Sequence, residues 1–214
     1  MTSPPVQRRG TKPAEVRRSE ILEAAVRLFH QAGYDATTVQ HIAAAAGVAA
    51  GTVYLYFASK EHVLLALHED FHAGIDADME ATFTQLWERL EGTDIPTREA
   101  LELMVGAMVD AVVAFLRKDP VRSAVMARFL PRLKAEHTAE HDQSAGYIAA
   151  AIEFGRQQGR VQISDPEMAS LLIASALSLP LLNMVVDGDS AEVDRLAAQA
   201  KEFFVKALEP RPDG

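Results

Sequence analysis

Cysteine is absent from the 214-residue chain, so neither a disulfide nor a thiolate-held metal is possible. No run of 18 or more apolar residues occurs either. The greasiest stretch, Leu171 to Val186, is broken by Ser175, Ser178, Pro180 and Asn183, and no membrane span is expected. The opening residues, Met1 to Pro5, lack the apolar centre of a signal peptide, so a cytoplasmic location is expected. Enzyme signatures are missing too: there is no G-x-S-x-G, no phosphate loop and no H-E-x-x-H. No enzyme activity and no cofactor are expected. What is present is ordinary for a globular chain with a sizeable core: 49% hydrophobic residues and 24% charged ones.

Charge is unevenly spread. Residues 1–66 carry seven basic side chains (Arg8, Arg9, Lys12, Arg17, Arg18, Arg27, Lys60) and five acidic ones, a net of +2. The rest of the chain carries −11, for the overall −9. An acidic total gives no general attraction to nucleic acid. Salt screens distant charge beyond about 8–10 Å, so the basic arm can still attract phosphates locally. Charge therefore permits a nucleic-acid partner only at the N-terminal end.

Sustained period-two alternation is missing, and Ala, Leu, Glu, Gln, Arg and Met dominate, all good helix formers. The spacing predicts an all-α chain of about nine helices. Ile21, Leu22, Ala25, Leu28 and Phe29 line one face of a helix over 14–32, which Gly33 ends. Thr37 or Thr38 can cap a short helix over 39–46, ended by Gly47. A third helix starts near Ala49 or Ala50 and runs to about Leu55. A fourth follows Ser59 and reaches about Leu90. Thr97 can cap a helix to Leu116, and a shorter one carries Val121 to Phe129 and stops at Pro131. Residues from Tyr147 to Gly159 form the next. Asp165-Pro166 opens a helix over 166–187, apolar almost all round, which predicts burial on most sides and a kink at Pro180. Ala191 to Leu208 closes the series.

Two short helices joined by a glycine turn, after one longer helix, make the outline of a helix-turn-helix. Ala43, Ala44, Ala45 and Ala46 let the second helix cross the first closely, with Ile42 as anchor. The second helix must present small or hydrogen-bonding residues at the end that enters a major groove. Ala49, Ala50, Gly51 and Thr52 are that small, and Tyr54, Tyr56 and Lys60 add donors. The full pattern is Ile21-Leu22-x-Ala24-Ala25-x-x-Leu28-Phe29, Gly33, Thr38, Ile42-Ala43, Ala46-Gly47-Val48, Gly51-Thr52-x-Tyr54-x-Tyr56-Phe57-x-Ser59-Lys60-Glu61. Over roughly residues 14–65 it resembles the DNA-binding domain of the TetR/AcrR family of transcriptional regulators. One departure stands out: Ala49-Ala50 replaces the polar pair, often Ser-Lys, that the family carries after Gly-Val.

The resemblance implies a flexible basic arm (1–13), a helix-turn-helix domain (14–62, motif about 38–57) and a ligand-binding and dimerisation domain (63–214). It implies a dimeric, ligand-responsive regulator of a near-palindromic operator, most simply a repressor released by a small lipophilic effector. An activator, or a helical small-molecule-binding protein without DNA binding, are the alternatives. By the same resemblance Thr38 caps the first motif helix and donates to a phosphate. Ala49, Ala50, Gly51 and Thr52 face the groove, Tyr54 meets a base edge or phosphate, and Tyr56 and Lys60 grip the backbone. With Ala49-Ala50 in place, base readout leans on Thr52, Tyr54, less on Gln40, and on DNA shape. Phe57 is core, and of the two tyrosines Tyr56 is the better core candidate.

In the larger part, helices over about 166–187 and 190–208 would pair with their copies in a homodimer. Leu171, Leu172, Ala176, Leu179, Leu182, Leu196, Ala200, Phe203, Phe204 and Ala207 offer more apolar face than one chain needs. Phe83, Trp87, Met104, Met108, Met126, Phe129, Tyr147 and Phe154 are candidate lining for an effector pocket, since Met and aromatic side chains adapt to apolar ligands; each could equally fill core. His68/His72 and His137/His141 are spaced to chelate a metal from one helix face, but no third ligand stands at diagnostic spacing, and no metal site is expected.

Overall fold

The computed structural model describes residues 13–91, 93, 95–136, 143–157, 161–188 and 190–208. Among them are nine α-helices and no strand: α1 (Ala14–Ala32), α2 (Val39–Ala46), α3 (Ala50–Tyr56), α4 (Lys60–Leu90), α5 (Thr97–Lys118), α6 (Pro120–Glu136), α7 (Gln143–Gln157), α8 (Pro166–Asp187) and α9 (Ser190–Leu208). The chain divides into two compact units, Met1–Leu67 and His68–Gly214. Helix α4 contributes residues to both.

In the first unit α1 packs on α2, and α2 on α3. The α1 stripe read from the sequence is the core face: Ile21, Leu22, Ala25 and Phe29 are buried, with Ile42, Val53, Phe57, Val63, Leu64 and Leu67. Thr38 is the residue that caps α2, its hydroxyl accepting from the His41 amide at 3.2 Å. Thr37 is instead buried and donates its hydroxyl to the Gly33 carbonyl at 2.7 Å. At the other end of α2, Gly47 takes a left-handed φ of 67°. Its amide bonds Ala44 O, and the Val48 amide bonds Ala43 O at 2.9 Å. These two bonds satisfy the last carbonyls of α2 in the glycine-dependent way that turns the chain sharply into α3.

The second unit is a helical bundle in which α8 packs against α6, α7 and α9, and α5 against α9. Two helices open on Asp-Pro. Asp119 accepts from the Arg122 amide before α6, and Asp165 from the Met168 amide before α8, both at 2.9 Å. Proline suits the next position, where its missing N–H would have had no partner. Arg117–Asp194 (2.8 Å) and Lys201–Asp110 (2.6 Å) tie α5 to α9 at the surface.

Several expectations change. Helix α5 is preceded by Pro96 in the cap position, so Thr97 is its first residue and not its cap. Helix α6 runs through Pro131 to Glu136 instead of stopping there. Helix α7 begins at Gln143, ahead of Tyr147. Helix α8 runs through Pro180 and is not covered on most sides: Met168, Leu171, Leu172 and Ala176 are exposed. By length and composition alone, Pro166–Met184 would also suit a bilayer crossing. Its buried residues, Ile173, Ala174, Leu181 and Leu182, form part of the core of the second unit.

Candidate nucleic-acid interface and apolar cavity

Helix α3 is held by one buried residue, Val53, and by Phe57 just past its end. With successive residues about 100° apart around the axis, Gly51 and Leu55 lie opposite Val53, and Tyr54 lies on the flank beside Leu55. Gly51, Tyr54 and Leu55 are all exposed, Tyr54 to 50% and Leu55 to 83%. Ala49, at the cap position, is exposed and supplies no side-chain acceptor to the helix start. Ala50, Thr52 and Tyr56 are half-buried. Tyr56 is thus more covered than Tyr54, and Phe57 is core, in line with the sequence reading. Leu55 was not among the candidate residues. Its signal was available in helical phase, as a leucine four residues after an exposed glycine and two after the buried valine.

No Asp or Glu occurs between Ala36 and Lys60, in a chain that holds 30. The stretch itself adds no carboxylate to oppose a polyanion; Asp35 and Glu61 flank it, and Glu20 and Glu23 of α1 lie beside Ala45 and Ala46. Thr38 is exposed at its edge, and because its oxygen accepts the cap bond, its hydroxyl proton remains available to an outside acceptor.

Lys60 is placed differently from a bare surface lysine. Its ammonium donates to the Tyr34 carbonyl at 2.7 Å and lies 4.1 Å from the centre of the Tyr34 ring. The buried Tyr34 in turn donates its hydroxyl to Glu61 at 2.8 Å. Hydrogen bonding to the Ser59 hydroxyl, to its own backbone amide and to Tyr34 holds the Glu61 carboxyl down at about 2. The start of α4 is thereby fastened to the turn after α1. An ammonium has three donors, so the engaged Lys60 retains hydrogen-bonding capacity.

In the second unit an apolar cavity of about 20 Å³ lies among Phe83, Leu101, Met104, Val105, Met108, Ile148, Ile152, Val161, Ile173 and Leu208. Phe83, Met104 and Met108 were candidate lining residues. Trp87, Met126 and Phe129 do not line it; Met126 and Phe129 are core. Tyr147 and Phe154 belong to α7, and their side chains fall outside the described residues. The aliphatic majority of the lining was missed, because nothing in a sequence separates a cavity-facing isoleucine from a core one. Gly155 sits behind the wall: a Cβ there would lie 2.8 Å from a Val161 methyl. His68 and His72 stand side by side on α4, ring centres 4.3 Å apart. Among the described residues no group of three or more His, Asp or Glu is disposed to hold a metal ion, and His137 and His141 lie outside them.

Residues 21–67 match the family model described as bacterial regulatory proteins, tetR family. The HTH-type transcriptional repressor KstR of Mycobacterium tuberculosis is 30% identical over 203 residues, covering 85% of this chain and 86% of that protein. The chain belongs to the TetR family. The KstR repressor of Rhodococcus jostii is 32% identical over 130 residues, and there the chain spans about half of the relative (59% of this chain, 53% of that one). Among solved structures, the fatty acid degradation regulator FadR from Bacillus halodurans superposes with a TM-score of 0.63 at 23% identity, over 94% of this chain and 100% of that one. That likeness is one of fold. TetR-family membership gives the helix-turn-helix of α2 and α3 its DNA-binding assignment, and it leaves the individual contacting residues to be argued from the exposed face of α3.

Proposed function

We propose that this TetR-family protein is a homodimeric repressor that binds a near-palindromic operator through α3 and is released by a lipophilic effector. The observation that carries the reading is the outer face of α3, exposed, free of carboxylates and built on small residues. Two copies related by a two-fold would dock in major grooves about 34–36 Å apart. In this reading Ala49, Ala50, Gly51 and Thr52 admit the backbone to the groove. Tyr54 meets a base edge or phosphate, and Thr38, Tyr56 and Lys60 face phosphates.

The pairing surface is the exposed apolar face of α8 and α9. Leu172 is 64% exposed and Phe203 66%, with Met168, Leu171, Ala176 and Ala207 also open in the single chain. Large apolar groups left open together mark an interaction site. Two residues leave the expected set: Leu182 and Phe204 are buried inside their own unit. Leu196 and Ala200 are half-buried, and the side chain of Leu179 lies outside the described residues.

The effector site is the apolar cavity. Its lining carries no polar side chain, so it selects hydrocarbon over charge. A ligand acts on DNA affinity only through its different affinities for two conformers, and a coupling of about 1–3 kcal/mol gives about 5–150-fold weaker binding. Helix α4, which supplies Lys60 to one unit and Phe83 to the other, is the continuous element between them.

Mobility shift with the DNA upstream of the protein's own gene tests the reading. Tyr54→Ala is expected to weaken the specific complex at least tenfold while leaving helix content and oligomeric mass unchanged. Equal affinity of variant and wild type would overturn the assignment of α3. A panel of lipophilic compounds screened by thermal shift should yield a stabiliser that also releases the DNA.

A further inference from the structure

We infer that the outer face of α3 selects thymine, with Leu55 contacting the C5 methyl group in the major groove. This rests on the DNA-binding reading above and adds the base that is read. A single exposed leucine is common on protein surfaces, so exposure alone decides nothing. The surroundings of Leu55 narrow the choice.

Gly51 lies one turn before Leu55 on the same face, and a Cβ built on it meets nothing within 4 Å. The leucine therefore stands beside a side-chain-free strip of helix, with Tyr54 as its one large exposed neighbour on α3. Ala49, Ala50 and Gly51 bring no side-chain donor or acceptor. The hydrogen-bonding groups of α3 are the hydroxyls of Tyr54 and of the half-buried Thr52 and Tyr56. Guanine is read by the paired donors of Arg or Lys, and adenine by the paired amide groups of Asn or Gln. α3 carries none of these residue types. Apart from the Tyr54 hydroxyl, what its outer face presents is hydrocarbon, and thymine's methyl is the apolar group on a base edge in the major groove.

A protein occupant fits less well. The open apolar surface on this helix is one leucine and one half-exposed ring, well short of the several hundred Å² that mark a protein-binding patch. The absence of Asp and Glu from Ala36 to Lys60 suits a phosphate-lined groove.

The test uses the full chain and duplexes it selects from a randomised pool, at fixed salt. Each thymine in a selected site is replaced singly by deoxyuridine, which removes only the methyl, and affinity is read by fluorescence anisotropy. Wild type is expected to lose about fourfold at one or two positions in each half-site, the worth of about one buried methyl. Leu55→Ala is expected to bind thymine and deoxyuridine alike at those positions. Wild type indifferent to every replacement overturns the inference without needing the variant. So does a Leu55→Ala protein that keeps the full deoxyuridine penalty, or one whose oligomeric mass changes in its place. Selection of no duplex at all overturns the DNA-binding reading as well, which separates the two failures.

Discussion

Phe203 and Phe204 are adjacent in sequence, and truncating each should produce opposite defects. Phe203 is 66% exposed and Phe204 is buried at 6%. Phenylalanine brings about 200 Å² to a contact, so about 130 Å² of Phe203 is open, worth roughly 3 kcal/mol per copy at about 25 cal/mol per Å². Area overstates affinity, because association also costs motional freedom and side-chain ordering. Truncation of an interface anchor costs about 2–4 kcal/mol. A homodimer loses the anchor twice, about 4–8 kcal/mol if the two sites add, so Phe203→Ala should raise the dimer dissociation constant by about a thousand-fold or more, read by sedimentation equilibrium, with helix content intact. Phe204→Ala removes a core ring, and should lower unfolding free energy by about 3–5 kcal/mol in urea titration. Wild type and Phe203→Ala sharing one dissociation constant would refute the placement of the interface. So would Phe204→Ala dissociating the dimer without loss of stability.

Three further outcomes are expected. Gly155→Ala forces a Cβ to within 2.8 Å of a Val161 methyl, and should cost about 1–3 kcal/mol by overpacking, measured by chemical denaturation. Ala49→Ser restores an acceptor at the uncapped start of α3 and should stabilise the first unit by about 1 kcal/mol, seen as slower amide exchange over residues 50–53. Glu61 has its carboxyl lowered from 4.5 to about 2, so its contribution is fully present above 4.5 and is lost as pH falls through about 2. Solvent screening holds that contribution to within about 1 kcal/mol. Glu61→Gln should flatten the stability-against-pH curve between those values, and an unchanged acid limb would show that the carboxylate does not contribute.

The first unit was legible nearly residue by residue, because its determinants are local. A threonine cap, a glycine that must turn left-handed, and a stripe at helical spacing each specify structure within a few residues. The expectations that failed needed knowledge of neighbours distant in sequence. Pro131 reads as a stop only if the helix has nothing to hold it beyond that point, yet α6 continues to Glu136. Helix α8 is apolar on every side, so no pattern marks which side its own unit covers. For α9, one residue is a rotation of about 100°, and the choice between Phe203 and Phe204 depends on where α5 and α8 lie. Likewise, Met and aromatic residues are the expected pocket lining, whereas the actual wall is mostly Leu, Val and Ile brought together from α5, α7, α8, α9 and the segment before α8.

The chamber in the second unit has room for about a single water molecule. A guest the size of a lipid or drug does not fit that space as it stands. Under the proposed repressor reading, loading such a guest and moving the surrounding helices apart are therefore coupled.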